Sequence, residues 1–155
     1  MLHSRETFDY IVNYYIGAEN WEKALETLEK QIDMGLNVDA QAIACKAAMS
    51  QCVIYLITER YEQAAEKENV LRTGRIETWL QSSERKYFRG AMVGYEIGNQ
   101  EIFDKGVKDV ALCLTGQLSR LMKKVVVPEE GIDMDDLGEP EPEGDTDDED
   151  PDGIC

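Results

Sequence analysis

The sequence predicts an all-α chain: a solenoid of helical hairpins, about seven helices within residues 1–127, followed by a disordered acidic tail over residues 128–155. Three observations lead there. No proline occurs between residues 5 and 127, and apolar residues recur through that stretch at helical spacing, with no alternating run of strand length. An aromatic-x-x-small pattern opens three of the expected helices, at steps of 40 and 42 residues. Charge is also divided: of 32 Asp and Glu, 14 lie in the last 28 residues, which hold no Lys or Arg, leaving 18 acids against 16 bases ahead of them. So polar a segment buries too little apolar surface to offset its ordering entropy.

The first helix is expected near 5–17, with Phe8, Ile11, Val12 and Tyr15 on one stripe and Gly17 as its stop. Asn20 suits the N-cap of the second, which presents Trp21, Ala24, Leu25, Leu28 and Ile32 before stopping at Gly35. Asp39 is expected to cap a third helix running to about Thr58. Its residues 40–57 are apolar nearly all round, interrupted only by Gln41, Lys46, Ser50 and Gln51, so it should be packed on several sides. A break at Glu59-Arg60 leads to the fourth helix, about 61–71. The fifth begins near Ser83, sets Tyr87, Phe88, Ala91, Met92 and Tyr95 on one face, and closes at Gly98. The sixth, about 100–112, shows Phe103, Val107, Val110 and Ala111. A seventh, about 116–124, precedes Val125-Val126-Val127.

The second, fourth and sixth helices share a start: Trp21-Glu22-Lys23-Ala24-Leu25, Tyr61-Glu62-Gln63-Ala64-Ala65 and Phe103-Asp104-Lys105-Gly106-Val107. The small residue lets such a helix lie close against the first of its pair, and the aromatic fills the mouth of the hairpin. The pattern resembles tetratricopeptide repeats, with a longer period than their usual length of about 34 residues.

Composition narrows function. No apolar run reaches the 18 or so residues of a transmembrane helix, and the start lacks the apolar region of a secretory signal. Cys45, Cys52, Cys113 and Cys155 form no CxxC pair and one His is present, so neither a zinc site nor a disulfide framework is expected; reduced thiols suit the cytoplasm. Cys45, Cys52 and Cys113 sit among Ala, Val and Leu, where a thiol packs as a small apolar group. The acidic tail would repel phosphates, which argues against nucleic acid. No nucleophile elbow, P-loop or dinucleotide glycine pattern occurs, and no carboxylate pair has catalytic spacing; no catalytic residue, cofactor or metal is expected.

Long-period hairpins followed by an acidic tail resemble the soluble NSF attachment protein family, in particular its gamma type. The resembling residues run from Tyr10-Ile11-Val12 through Trp21–Leu25, Cys45-Lys-Ala-Ala and Tyr61-Glu-Gln-Ala-Ala65-Glu, and on to Gly94-Tyr95-Glu96. They close on Val125-Val-Val-Pro128, an acidic run and the terminal Gly-Ile-Cys. The resemblance covers nearly all of this chain and corresponds to the C-terminal half of such a protein. It implies a non-enzymatic adaptor in vesicle traffic that recruits the hexameric AAA ATPase NSF to the SNARE four-helix bundle, in the cytoplasm and peripherally on endomembranes. The alternative is a generic helical-repeat scaffold or co-chaperone with a solubilising tail.

On the adaptor reading, Asp145, Asp147, Asp148, Glu149, Asp150 and Asp152 would meet a basic ATPase surface with fast, salt-sensitive association. Ile154, matching the penultimate aliphatic residue of the family's tail, would fix the register. SNARE bundles are acidic outside, so Arg85 with Arg89, four apart on one helical face, and Lys105 with Lys108 are candidates for a cargo face. A solvated surface with ordinary ion pairs is the plainer reading of those four. Arg120, Lys123 and Lys124 flank Leu121, Met122 and Val125, an amphipathic stretch suited to lipid headgroups or to packing the last helix on the hairpin before it.

Overall fold

A computed structural model describes residues 5–132, and all seven helices are there: α1 (Arg5–Gly17), α2 (Trp21–Asn37), α3 (Gln41–Ile57), α4 (Tyr61–Arg72), α5 (Ser83–Ile97), α6 (Gln100–Ala111) and α7 (Gly116–Lys123). No strand occurs among the described residues. Consecutive helices pack in pairs, α1 on α2, α2 on α3, α3 on α4, α5 on α6 and α6 on α7. Helix α3 is the hub, packing on α2, α4, α5 and α7, and 11 of its 17 residues are buried. That is the all-round burial its composition asks for. Helix α7 does not simply continue the series. It lies back across α1 and α3, with Leu118 and Met122 fully buried.

Four of the helix corners are built alike. Glu19, Asp39 and Glu59 take positive φ of 56°, 58° and 61°, and Gly98 takes 75°. Each stands two residues before the next helix. In each the following N–H reaches back to a carbonyl five residues earlier: Asn20 to Tyr15, Ala40 to Gly35, Arg60 to Tyr55 and Asn99 to Gly94. This left-handed corner satisfies the orphan carbonyls of a helix end. Asn20 then caps α2 as expected, its Oδ1 accepting from the Lys23 N–H at 3.2 Å.

Two local expectations are overturned. Asp39 does not cap α3; it occupies the left-handed corner, and Ala40 holds the N-cap position without a side-chain bond. Gly35 does not end α2, which continues to Asn37. Gly35 is buried where α3 begins, and a methyl there would stand 3.0 Å from the Ala40 carbonyl. Its role is close approach, a use of glycine that reads like a stop signal in sequence.

The aromatic-x-x-small starts are close-packing sites. Ala24, Ala64 and Phe103 are fully buried. A methyl at Gly106 would stand 2.6 Å from the Ala91 Cα, so α6 approaches α5 as closely as backbone permits. Tyr61, Tyr95 and Phe103 form an aromatic file, Tyr61 and Tyr95 stacked at 5.6 Å and Tyr95 and Phe103 tilted at 5.9 Å.

The stretch between α4 and α5, left unassigned by periodicity, carries a core residue. Trp79, in a short 3₁₀ turn (Trp79–Gln81), is fully buried and packs with both α4 and α5. The packed body also runs past Val127. Gln100 holds the segment after α7 at two points, Nε2 donating to the Val125 carbonyl at 3.1 Å and Oε1 accepting from the Val127 N–H at 2.9 Å. Pro128 and Gly131 then close a turn, and the Ile132 N–H donates to the Glu96 carbonyl at 2.8 Å.

Candidate functional site

Of the residues expected to touch partners, Asp145, Asp147, Asp148, Glu149, Asp150, Asp152 and Ile154 lie outside the described residues. The four basic candidates lie inside, and the structure separates them into two pairs. Arg85 and Arg89 share one face of α5, as their spacing predicts, and both line a cleft of about 590 Å³ between α4 and α5. Neither offers a free charge. Arg85 Nε donates to Glu68 Oε2 at 2.8 Å, and the Trp79 indole N–H donates to the same oxygen at 3.2 Å. Arg89 stands 3.5 Å from Glu96, whose Oε2 also accepts from the Tyr61 hydroxyl at 2.5 Å. With Glu62, Glu66 and Arg72 on its walls the cleft carries both signs. The Arg85–Glu68 ion pair, the Tyr61–Glu96 hydrogen bond and the stacked Tyr61 and Tyr95 rings join α4 to α5, while the Arg89–Glu96 pair lies within α5.

Lys105 and Lys108 stand on the exposed side of α6 beside the likewise exposed Glu101, Asp104 and Asp109. Neither lysine makes an ion pair among the described residues. The structure therefore leaves Lys105 and Lys108 available to a partner and commits Arg85 and Arg89 to the fold.

One polar cluster has no sequence signature. Glu29 on α2 accepts from Arg75 at 2.7 Å and from Gln51 of α3 at 3.0 Å, and lies 3.6 Å from Lys67 of α4. Arg75 also bonds Asp33 at 2.5 Å. Burial pushes the Glu29 carboxyl up, but the Gln51 hydrogen bond and the Lys67 and Arg75 charges outweigh it and hold the group below the usual carboxylate range. Gln51, Lys67 and Arg75 are 22 to 46 positions from Glu29 in sequence, and only the packing of α2, α3, α4 and the turn after α4 brings them together.

Reactive chemistry finds little support in the cavities. A cleft of about 170 Å³ between α1, α2, α3 and the α6–α7 connection includes Cys113 with Asp9 and Lys46. Burial pushes the Cys113 thiol up, as it does Cys45, and Cys52 is pushed up to about 12; none is an activated nucleophile. No metal-ligating group of three His, Cys, Asp or Glu occurs among the described residues. No described helix is long and apolar enough to cross a membrane.

The last turn of α7 brings Arg120, Lys123 and Lys124 to the surface. Two cavities meet there, sharing Leu121 and Lys124: one of about 240 Å³ with Ile16 and Trp21, and one of about 590 Å³ with Leu56, Ile57, Tyr95, Val125, Val126 and Pro128. Leu121 and Val125 are half-buried, and Val126 is 80% exposed. Leu121 and Val125 pack against the edge of the core, whereas Val126 stands in water. Comparison with protein-family models, curated proteins and solved structures finds no match to this chain.

Proposed function

We propose that the chain is a non-catalytic adaptor of the soluble NSF attachment protein kind. Its hairpins form a tetratricopeptide-like solenoid that grips a SNARE helical bundle, and its acidic C-terminus recruits the AAA ATPase that pulls the bundle apart. The observation that carries this reading is the repeated helix corner at Glu19, Asp39, Glu59 and Gly98. One corner geometry used four times makes hairpins of nearly constant form, which is how a stacked solenoid is built. The acids of residues 145–152 supply long-range attraction to a basic motor surface, and Ile154 supplies an apolar contact that charge alone lacks. Lys105 and Lys108, exposed on α6, are the cargo-facing cations.

A peptide-clamping co-chaperone would need an open groove along α1, α3 and α5. In this chain α7 lies across α1 and α3, and the Asn13 Oδ1 is buried without a partner instead of facing a ligand. The adaptor reading needs no such groove. Its peripheral association with endomembranes follows from the cargo it handles, not from a lipid anchor.

The test is capture of the purified AAA ATPase by the full chain, by an Ile154→Ala variant and by a chain ending at Ile132, at low and moderate salt. Tail-dependent, salt-sensitive capture is expected, with Ile154→Ala weaker by about 1 kcal/mol or more. No capture by a folded full-length chain would leave a helical-repeat scaffold with a solubilising tail as the better account.

A further inference from the structure

The cavity of about 170 Å³ between α1, α2, α3 and the α6–α7 connection holds polar groups that the fold leaves unused. Gln31 lines it and is only 5% exposed, yet its side-chain amide makes no hydrogen bond among the described residues. The Thr115 hydroxyl, on another wall, is buried without a partner. Buried polar groups in this state are destabilising until water or a ligand completes them. Ser50 lines the cavity as well; its hydroxyl donates to the Lys46 carbonyl at 2.9 Å and keeps lone pairs with which to accept.

Two charges of opposite sign line the same space, Lys46 from α3 and Asp9 from α1. They do not pair with each other, since Lys46 makes no ion pair among the described residues. Asp9 has an interaction of its own, and an ionised carboxylate accepts several hydrogen bonds at once. Val12, Leu28 and Leu118 supply an apolar wall. A void of about 150 Å³ holds a benzene molecule, so a compact ligand of that order fits the space. The lining combines one cation, one anion, an amide, two hydroxyls and hydrocarbon. Its complement is a small molecule that carries both charges and a short apolar group.

We propose that this cavity binds a free α-amino acid with a short apolar side chain, of the size of valine. The carboxylate of the ligand meets the Lys46 ammonium and the Thr115 hydroxyl, its ammonium meets Asp9 and the Gln31 carbonyl, and its side chain lies on Val12, Leu28 and Leu118. The connection that carries Cys113, Leu114 and Thr115 forms one wall. The bound amino acid thereby ties the start of α7 to the first three helices and strengthens the closure of α7 over α1 and α3. Neither Lys105 nor Lys108 lines the cavity, so the site stands or falls independently of the adaptor reading.

Amide NMR shifts of the isotope-labelled full-length chain test this, in titrations with valine, with isovalerate (valine without its amine) and with isobutylamine (valine without its carboxylate). Valine should give saturable shifts around Lys46 and residues 112–115, with a dissociation constant on the order of 1 mM. Each half-molecule should bind about tenfold or more weakly. Lys46→Met should weaken valine about tenfold and leave isobutylamine unchanged, and Asp9→Asn should weaken valine and leave isovalerate unchanged. Lys105→Met, at an exposed site on α6, should change nothing. Valine should also raise the melting temperature of the native chain but not that of Lys46→Met. Shifts that grow without saturating would show that the cavity holds only water and would overturn the proposal. So would isovalerate bound as tightly as valine, which would make it a simple anion site, or a valine response that survives Lys46→Met and Asp9→Asn together. The half-molecules are compared on the native chain, so the result stands even where a substitution disturbs the fold.

Discussion

A side chain as buried as Glu68, 5% exposed, is costly without polar partners, and it has two, Arg85 and the Trp79 indole. Removing one partner of such a pair strands the other charge. Arg85→Ala should therefore cost about 2 kcal/mol of stability, somewhat less than a fully buried pair because Arg85 keeps a quarter of its surface in water. Lys105→Ala should change stability by no more than about 0.5 kcal/mol. Urea titrations of the two variants distinguish the structural arginine from the available lysine. Glu29 gives a pH signature. Its folded pKa is depressed, so its stabilising contribution is complete above the ordinary glutamate value of about 4.3 and fades as pH falls through the folded value. The group is over a third exposed, and solvent screening limits that contribution to about 1 kcal/mol or less. The gap in urea midpoint between the native chain and Glu29→Gln should be present at neutral pH and close on acidification. A gap that persists unchanged at low pH would show that the Glu29 charge contributes nothing. Burial of Cys45 and Cys52 could be read from their neighbours in sequence. The pairing of Arg85 could not, because Glu68 is 17 residues away on another helix.

At the scale of elements, the corners hold stored strain. A non-glycine residue in the left-handed region costs about 1 kcal/mol, and the exposed Glu19 side chain makes no hydrogen bond or ion pair among the described residues to compensate for it. Glu19→Gly should raise stability by about 0.5–1 kcal/mol, and thermal melts of the two chains measure it. An unchanged or lower melting temperature would mean that the Glu19 side chain contributes an interaction of its own. The opposite exchange at a packing glycine should be costly. Gly106→Ala drives a methyl into the Ala91 backbone and should lose about 2 kcal/mol or more, with α5 and α6 forced apart. Helix limits followed from periodicity and caps to within a residue or two. The errors came where glycine and aspartate have two uses: Gly35 allows contact instead of stopping a helix, and Asp39 turns a corner instead of capping.

For the whole molecule, the connection of α7 to α1 and α3 is what periodicity could not supply. A period gives the faces of a helix but not the helices it meets, and α7 meets one over a hundred residues earlier in the chain. The turn after α7 completes this closure. Gly98 and Gly131, both at positive φ, stack backbone on backbone, so that a methyl on Gly98 would stand 2.6 Å from the Glu129 carbonyl. A chain ending at Val127 should consequently be less stable than one ending at Ile132, by about 1 kcal/mol for the lost Ile132 hydrogen bond and glycine contact. Urea midpoints of the two truncations check it; equal midpoints would show that the turn merely rests on the body.

The sequence by itself determined the class of structure, the number of helices, which faces of them are apolar and where the acids collect. These are local properties, fixed by spacing along the chain and by composition. The tertiary structure decided which charges are free. Arg85 and Arg89 look no different from Lys105 and Lys108 along the chain, yet two are tied to buried or half-buried carboxylates and two stand in water. It also decided that Trp79 is core and that Glu29 gathers two cations. Each of these depends on groups from different helices meeting within a few ångströms, and such meetings are set by packing rather than by any period in the sequence.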